Sequence, residues 1–356
     1  ATHPKDSQIL CTCGDDRVIR SWNSGAGVGG RRSIGRTKCK SPGKPRCLAY
    51  SPDGEHIAVG LTSGFVEIWA DELDQRLRDF KHAKEGIGDV KYSPDGLSLA
   101  VASNDNRIYL YTVAAGLYRK GKVLKGHSSF VSHLDFSKDS LWLQSNDGAG
   151  ERLCWSVAKG KLSGVGNSAR WDSFTCVFGK EIDGMRPPSA DKSDINASCR
   201  SGGGWIVASG DDFGYVTTTK FPCPSADNDS DSDSDGENGN ARTARKQYAA
   251  HASHVTNVRF NANDTSLFST GGGDLALMQW RTNFPLSEDA VRRKSRKKTK
   301  PLRWEPIAWV AMVVEAPHGG APITALCHGG REAQSNNPRF VSGGADCTVR
   351  LWEQAD

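Results

Sequence analysis

SGFVEIW, Ser63 to Trp69, decides the reading of this chain: a Ser-Gly turn, then an apolar run alternating with polar residues, then Trp. Six further stretches follow the same plan, four of them ending on Trp. They are GDDRVIRSW (Gly14 to Trp22), DNRIYLY (Asp105 to Tyr111), ERLCW (Glu151 to Trp155), DDFGYVTTT (Asp211 to Thr219), DLALMQW (Asp274 to Trp280) and DCTVRLW (Asp346 to Trp352). The early endings recur at intervals of roughly 42 to 47 residues, the spacing of four-stranded propeller blades, and the later intervals are lengthened by insertions. Ahead of the second ending, CLAYS (Cys47 to Ser51) runs into PDG and then HIAVG, and the same order recurs from Val90 to Tyr111. Period-two alternation between Gly and Asp turns is the mark of half-buried antiparallel strands. The chain therefore reads as all-β, a seven-bladed WD40-type β-propeller forming a single domain over residues 1–356. Its first blade opens at QILCTCG with no preceding strand in view, so that blade reads as incomplete and the chain as part of something longer.

Charge is unevenly placed. The chain has 46 Lys and Arg against 41 Asp and Glu, a net +5, but DNDSDSDSDGE (Asp227 to Glu237) holds six of the acids, and without it the remainder carries +11. A basic ring suits an acidic partner. Three segments break the strand rhythm and read as loops: a basic Gly-rich loop at 24–46, an acidic disordered insertion at 224–247, and a basic loop at 281–303 before the last blade. The first contains Arg31, Arg32, Lys38 and Lys40. The last contains Arg292, Arg293, Lys294, Arg296, Lys297, Lys298, Lys300 and Arg303, eight cations in twelve residues. These twelve named cations are the candidate contacts for an acidic partner.

Other motifs lose their chemical meaning in context. GAGVGG (Gly25 to Gly30) spells a dinucleotide fingerprint, but RRSIGRTK follows where a helix and a parallel strand are required. DSDSDG (Asp231 to Gly236) starts like a calcium loop, yet Arg242 stands where the bidentate Glu belongs. Cys11 and Cys13 share a strand face without a second ligand pair, so the ten cysteines read as reduced core thiols rather than a metal centre or a disulfide frame. The run IAWVAMVV (Ile307 to Val314) is too short to cross a bilayer. No cofactor, no metal and no catalytic residue is expected, and the chain reads as a non-enzyme. His251, Thr270, Asp274 and Trp280 have the spacing of a structural hydrogen-bond tetrad, in which a buried imidazole links a carboxylate and a hydroxyl to an indole N–H.

The middle of the chain carries a more specific likeness. LKGHSSFVSHLDFSKDSLWLQSNDG (Leu124 to Gly148), WDSFTCVFG (Trp171 to Gly179), SDINASCR (Ser193 to Arg200), SGDDFGYV (Ser209 to Val216) and His251 to Trp280 together resemble the echinoderm microtubule-associated protein-like family, in its second, C-terminal propeller. That resemblance implies a microtubule-associated scaffold binding tubulin or cytoskeletal and axonemal neighbours. It implies an upstream propeller in the same longer chain, and a place in the cytoplasm on the cytoskeleton, with cilium and flagellum included. No membrane partner is expected. The alternatives are a general WD-repeat interaction adaptor without tubulin contact and, more weakly, nucleic-acid binding through the basic loops, whose clusters lack interleaved aromatics to stack on bases.

Overall fold

Alternating burial is what turns this sequence into sheets. In a computed structural model, described over residues 1–25, 33–164, 169–186, 195–223 and 245–282 and over three later strands, every strand pairs antiparallel with its sequence neighbour. The chain divides into two compact units, Ala1–Gly179 and Lys180–Asp356.

The first unit contains four sheets. They are β1 (Ile9–Cys13), β2 (Val18–Asn23) and β3 (Ser33–Lys38); β4 (Pro45–Tyr50), β5 (His56–Leu61), β6 (Phe65–Ala70) and β7 (Arg76–Lys81); β8 (Ile87–Tyr92), β9 (Ser98–Ser103), β10 (Arg107–Ala114) and β11 (Leu117–Lys125); and β12 (Val131–Phe136), β13 (Trp142–Asp147), β14 (Arg152–Ser156) and β15 (Lys161–Leu162). The second unit holds β16 (Ile195–Arg200), β17 (Ile206–Asp211), β18 (Tyr215–Lys220) and β19 (Lys246–Ala249), followed by β20 (Val255–Phe260), β21 (Ser266–Gly271) and β22 (Leu277–Arg281). A further three-stranded set, β23 (Leu326–His328), β24 (Arg339–Gly343) and β25 (Val349–Glu353), is described by its backbone pairing alone.

The structure thus builds six blades with described side chains, against the seven counted from the closing strands. The seventh ending, DCTVRLW, gives β25 of that last set. The opening edge of the first blade, which reads as incomplete in sequence, is bridged by the chain's first residues: Thr2 pairs with Leu10, and the Cys11 amide donates to the Ala1 carbonyl at 2.8 Å. The loop expected at 24–46 contains β3, and residues 45–46 begin β4. Likewise Lys246 and Gln247 begin β19, and Arg281 ends β22, so the segments drawn at 224–247 and 281–303 each overlap a strand.

Position within a blade decides composition. The second strand of the second sheet, HIAVGL, is buried at five of its six residues, whereas the outer strand RLRDFK has no buried residue. Side chains of neighbouring blades meet at close quarters: Cys47, Val66, Ile68, Ile87, Val90 and Val101 belong to one core cluster that joins the second and third sheets. Gly60 is small for that reason, since a Cβ there would lie 2.5 Å from Ile87 Cγ2 and 2.6 Å from Cys47 Sγ. The turn Ser-x-Asp recurs in three blades. Ser51 Oγ donates to Asp53, Ser93 Oγ to Asp95 and Ser137 Oγ to Asp139, each at 2.5 Å. The same serine oxygens accept the amides of His56, Ser98 and Trp142 at 2.9 Å, closing each turn.

Candidate interaction surface and its buried polar supports

The tetrad positions meet in the sixth sheet, with one substitution. His251 Nδ1 lies 2.8 Å from Asp274 Oδ2, and His251 Nε2 lies 2.9 Å from Ser269 Oγ, which also accepts the Trp280 indole N–H at 2.9 Å. Ser269, not Thr270, is the hydroxyl of the set. Register explains the exchange: Leu267 pairs with Trp280, so Ser269, two residues along, shares the indole's face, while Thr270 points to the other. Thr270 Oγ1 instead shares a hydrogen bond with Thr256 Oγ1 at 2.8 Å.

A second complete set stands in the fourth sheet. His127 Nε2 is 2.6 Å from Ser145 Oγ, His127 Nδ1 is 3.1 Å from Asp147 Oδ2, and Trp155 donates to Ser145 at 2.8 Å. Elsewhere the pattern is met by other residue types. Tyr111 hydroxyl meets His82 Nδ1 at 3.0 Å, Trp22 donates to Thr12 at 2.9 Å, and Trp69 donates to the carboxylate of Glu67 at 3.0 Å.

Burial pulls the His127 imidazole below its usual range, although the Asp147 hydrogen bond and charge oppose this. Burial pushes the Asp274 and Asp147 carboxyls up, but their histidines and backbone amides outweigh it, and both settle below the ordinary carboxylate range. His127, Asp147 and Glu151 also bring three potential metal ligands together. Asp147 Oδ1 is already occupied by the Ala149 and Glu151 amides, and Glu151 accepts from Ser128 Oγ at 3.2 Å. Ser145 and Ser269 are sealed from solvent and saturated by an indole and an imidazole. The arrangement locks a turn onto its strands; it does not expose a nucleophile.

Of the nominated cations, Arg31, Arg32 and Arg292 to Arg303 lie outside the described residues. Lys38 ends β3 and is exposed. Lys40 is exposed too, with its ammonium 5.4 Å from the Trp69 ring centre and its amide donating to Glu67 at 2.9 Å. The outer strands reveal a charge pattern that loop reading missed. Together β3, β7, β11 and β15 carry ten Lys and Arg and a single acid, Asp79. All ten are exposed except Arg76, which is half-buried beside Glu67 and Asp79.

A model described as the echinoderm microtubule-associated protein second β-propeller matches residues 1–282. The chain belongs to that family. A WD-domain, G-β repeat model matches residues 313–353. Echinoderm microtubule-associated protein-like 3 of Homo sapiens is 37% identical over 287 residues, covering 79% of this chain and 30% of its own length. The 77 kDa echinoderm microtubule-associated protein of Strongylocentrotus purpuratus is 37% identical over 287 residues, covering 79% of this chain and 38% of its own. This family member therefore spans between 30% and 38% of the length of these two relatives. Among solved structures, a chain of the mitotic checkpoint complex crystal structure aligns with a TM-score of 0.56 and 17% identity, over 80% of this chain and 91% of that one. That likeness is one of fold alone, and the fold is an all-β WD40-type β-propeller.

Proposed function

We propose that this propeller is a non-enzymatic scaffold that binds microtubules through surface cations. The observation that carries the reading is the near absence of acids among the exposed cations of β3, β7, β11 and β15. Family membership and the microtubule association in the relatives' names support it. Tubulin or microtubule-bound proteins are the partners, held by screened attraction between flexible cations and acidic surface. Arg292, Arg293, Lys294, Arg296, Lys297, Lys298, Lys300 and Arg303, with Arg31, Arg32, Lys38 and Lys40, offer the same chemistry. The upstream remainder of a longer chain supplies a companion propeller, and the protein works on the cytoskeleton in the cytoplasm, cilium and flagellum included.

Microtubule co-sedimentation tests this reading. Binding falls as salt rises toward about 0.5 M, and reversing Arg292, Arg293, Arg296 and Lys297 to Glu weakens it at low salt. Proteolytic removal of the acidic tubulin tails has the same effect. Undiminished binding by the reversed chain removes the 281–303 segment from the interface, and no co-sedimentation at any salt removes the proposal.

A further inference from the structure

Outer strand β11 differs from its counterparts in length, charge and openness. It runs nine residues, Leu117–Lys125, against six for each of β3 and β7. It pairs with β10 on one side and ends its sheet on the other. It carries Arg119, Lys120, Lys122 and Lys125, all exposed, and no acid. Arg107 of β10, half-buried, lies directly across from Lys125. Lys122 Nζ donates to the Ala158 carbonyl, which fixes β11 beside the turn leading to Lys161.

A terminal strand presents backbone N–H and C=O groups that another extended chain can complete. Lysines along such an edge are the usual guard against pairing with a second copy, because like charges then face each other. The guard is selective by sign. A basic segment is repelled, while an acidic one is drawn in and held in register by its charges. The register with β10 slips between Tyr109 and Tyr111, beside Gly121, which divides the edge into a stretch at Leu117–Lys120 and another at Val123–Lys125. Both stretches end on a lysine.

We propose that the outer edge of β11 docks an extended acidic polypeptide as an added strand. Main-chain bonds supply adhesion, and Arg119, Lys120, Lys122 and Lys125 select acidic side chains. The proposal goes beyond the microtubule reading, since the partner is defined by charge and extension and does not have to be tubulin.

The test uses the whole 356-residue chain, with a labelled synthetic peptide of alternating Glu and Thr, read by fluorescence anisotropy and by amide hydrogen exchange. Peptide binding is expected to weaken as salt rises and to slow exchange within β11. The combined change Arg119→Glu, Lys120→Glu, Lys122→Glu and Lys125→Glu is expected to weaken binding by about tenfold or more, each exposed contact contributing a few-fold at most. A control on β7, Arg78→Glu with Lys81→Glu, is compared with the double change Arg119→Glu with Lys120→Glu on β11 and is expected to stay within about twofold of wild type. Should the Glu set unfold, the corresponding Gln set is read instead, with a smaller loss in the same direction.

Three results overturn the proposal: peptide bound without new protection in β11, an equal loss from the β7 control, or a single-stranded RNA bound as tightly with the same protection pattern. Microtubule co-sedimentation of the β11 variant separates the two readings. Lost peptide binding with retained co-sedimentation supports the edge and leaves the microtubule reading independent of it.

Discussion

Glu67 Oε2 accepts the indole N–H of Trp69 at 3.0 Å, so a carboxylate does in the second sheet what the hydroxyls of Ser145 and Ser269 do in the fourth and sixth. Its other oxygen takes the amides of Lys40 at 2.9 Å and Ser41 at 2.5 Å, with Arg76 Nη1 at 3.4 Å. Glu67 is fully buried, and the Trp69 indole and the Lys40 and Ser41 amides rely on it, whereas Arg76 also reaches Asp79. Glu67→Ala is expected to destabilise the protein by about 3 to 5 kcal/mol, because a buried charge network loses its acceptor. Glu67→Gln keeps an acceptor oxygen and falls between that variant and wild type. Urea unfolding of the three chains orders them.

Ser269 and Thr270 offer a paired test of register. Ser269→Ala leaves the Trp280 and His251 nitrogens without their shared oxygen and is expected to cost about 1 to 3 kcal/mol. Thr270→Ala removes a hydrogen bond at a more exposed site, with an expected cost below about 1 kcal/mol. Equal unfolding midpoints for the two variants contradict the assignment of Ser269 to the tetrad.

Acid should act in two stages. His127 binds its proton less readily folded than unfolded, so the unfolded chain takes up more protons as pH drops below about 6.5, and stability falls with it. Asp147 and Asp274, held low in the folded state, add a second loss that begins as pH approaches about 4. Above about pH 7 these three groups contribute no slope. Urea midpoints at about pH 7.5 and about pH 5.5 measure the first stage, which His127→Gln is expected to flatten. A wild-type midpoint that rises on acidification contradicts the sign.

Gly214 turns between β17 and β18 at a φ of +83°, where side chains are disfavoured. Its carbonyl accepts the amides of Ala250 and His251, at 3.1 and 2.9 Å, and a Cβ there would press on the His251 carbonyl and lie 2.8 Å from that of Ser253. Gly214→Ala is therefore expected to cost well over about 1 kcal/mol. Thermal unfolding reads it, with Gly164→Ala, where nothing lies within 4 Å of an added Cβ, as the neutral comparison.

Inner and closing strands were legible because burial forces an apolar alternation on them: FVEIW, RIYLY and LMQW lie in β6, β10 and β22. Outer strands were not. SIGRTK in β3 has one wet edge and at least one wet face, so its composition is that of a loop, and the basic stretch containing Lys38 was read as one. The tetrad erred by one residue for a related reason. Spacing in sequence nominates both Ser269 and Thr270, and only the length of the turn between β21 and β22 decides which shares a face with Trp280. In the fourth sheet the full set was present in plain letters, His127, Ser145, Asp147 and Trp155, but Ser145 in WLQSND does not resemble the STGGGD context of Ser269. The described cations on β7 are dispersed along the strand, and those on β11, Arg119, Lys120 and Lys122, are close together but lie within the repeat rather than in an insertion that breaks its rhythm.

Asp89, on the innermost strand of the third blade, accepts the Leu134 amide of the fourth at 3.0 Å. Asp135 in turn takes the amides of Thr175 and Cys176, at 2.8 and 2.9 Å. The third and fourth blades thus finish part of their hydrogen bonding on residues that come later in the chain. Blades linked this way are poor units of exchange: a cut after Lys125 takes the Leu134 donor from Asp89, and a transplanted third blade keeps the Val90 amide on that carboxylate but lacks the donor its own successor supplies. Shuffling in this unit accordingly has to keep consecutive blades together, since turns and outer strands are tied across blades as well: Lys122 donates to the Ala158 carbonyl, and Ser140 Oγ accepts the Asp95 amide.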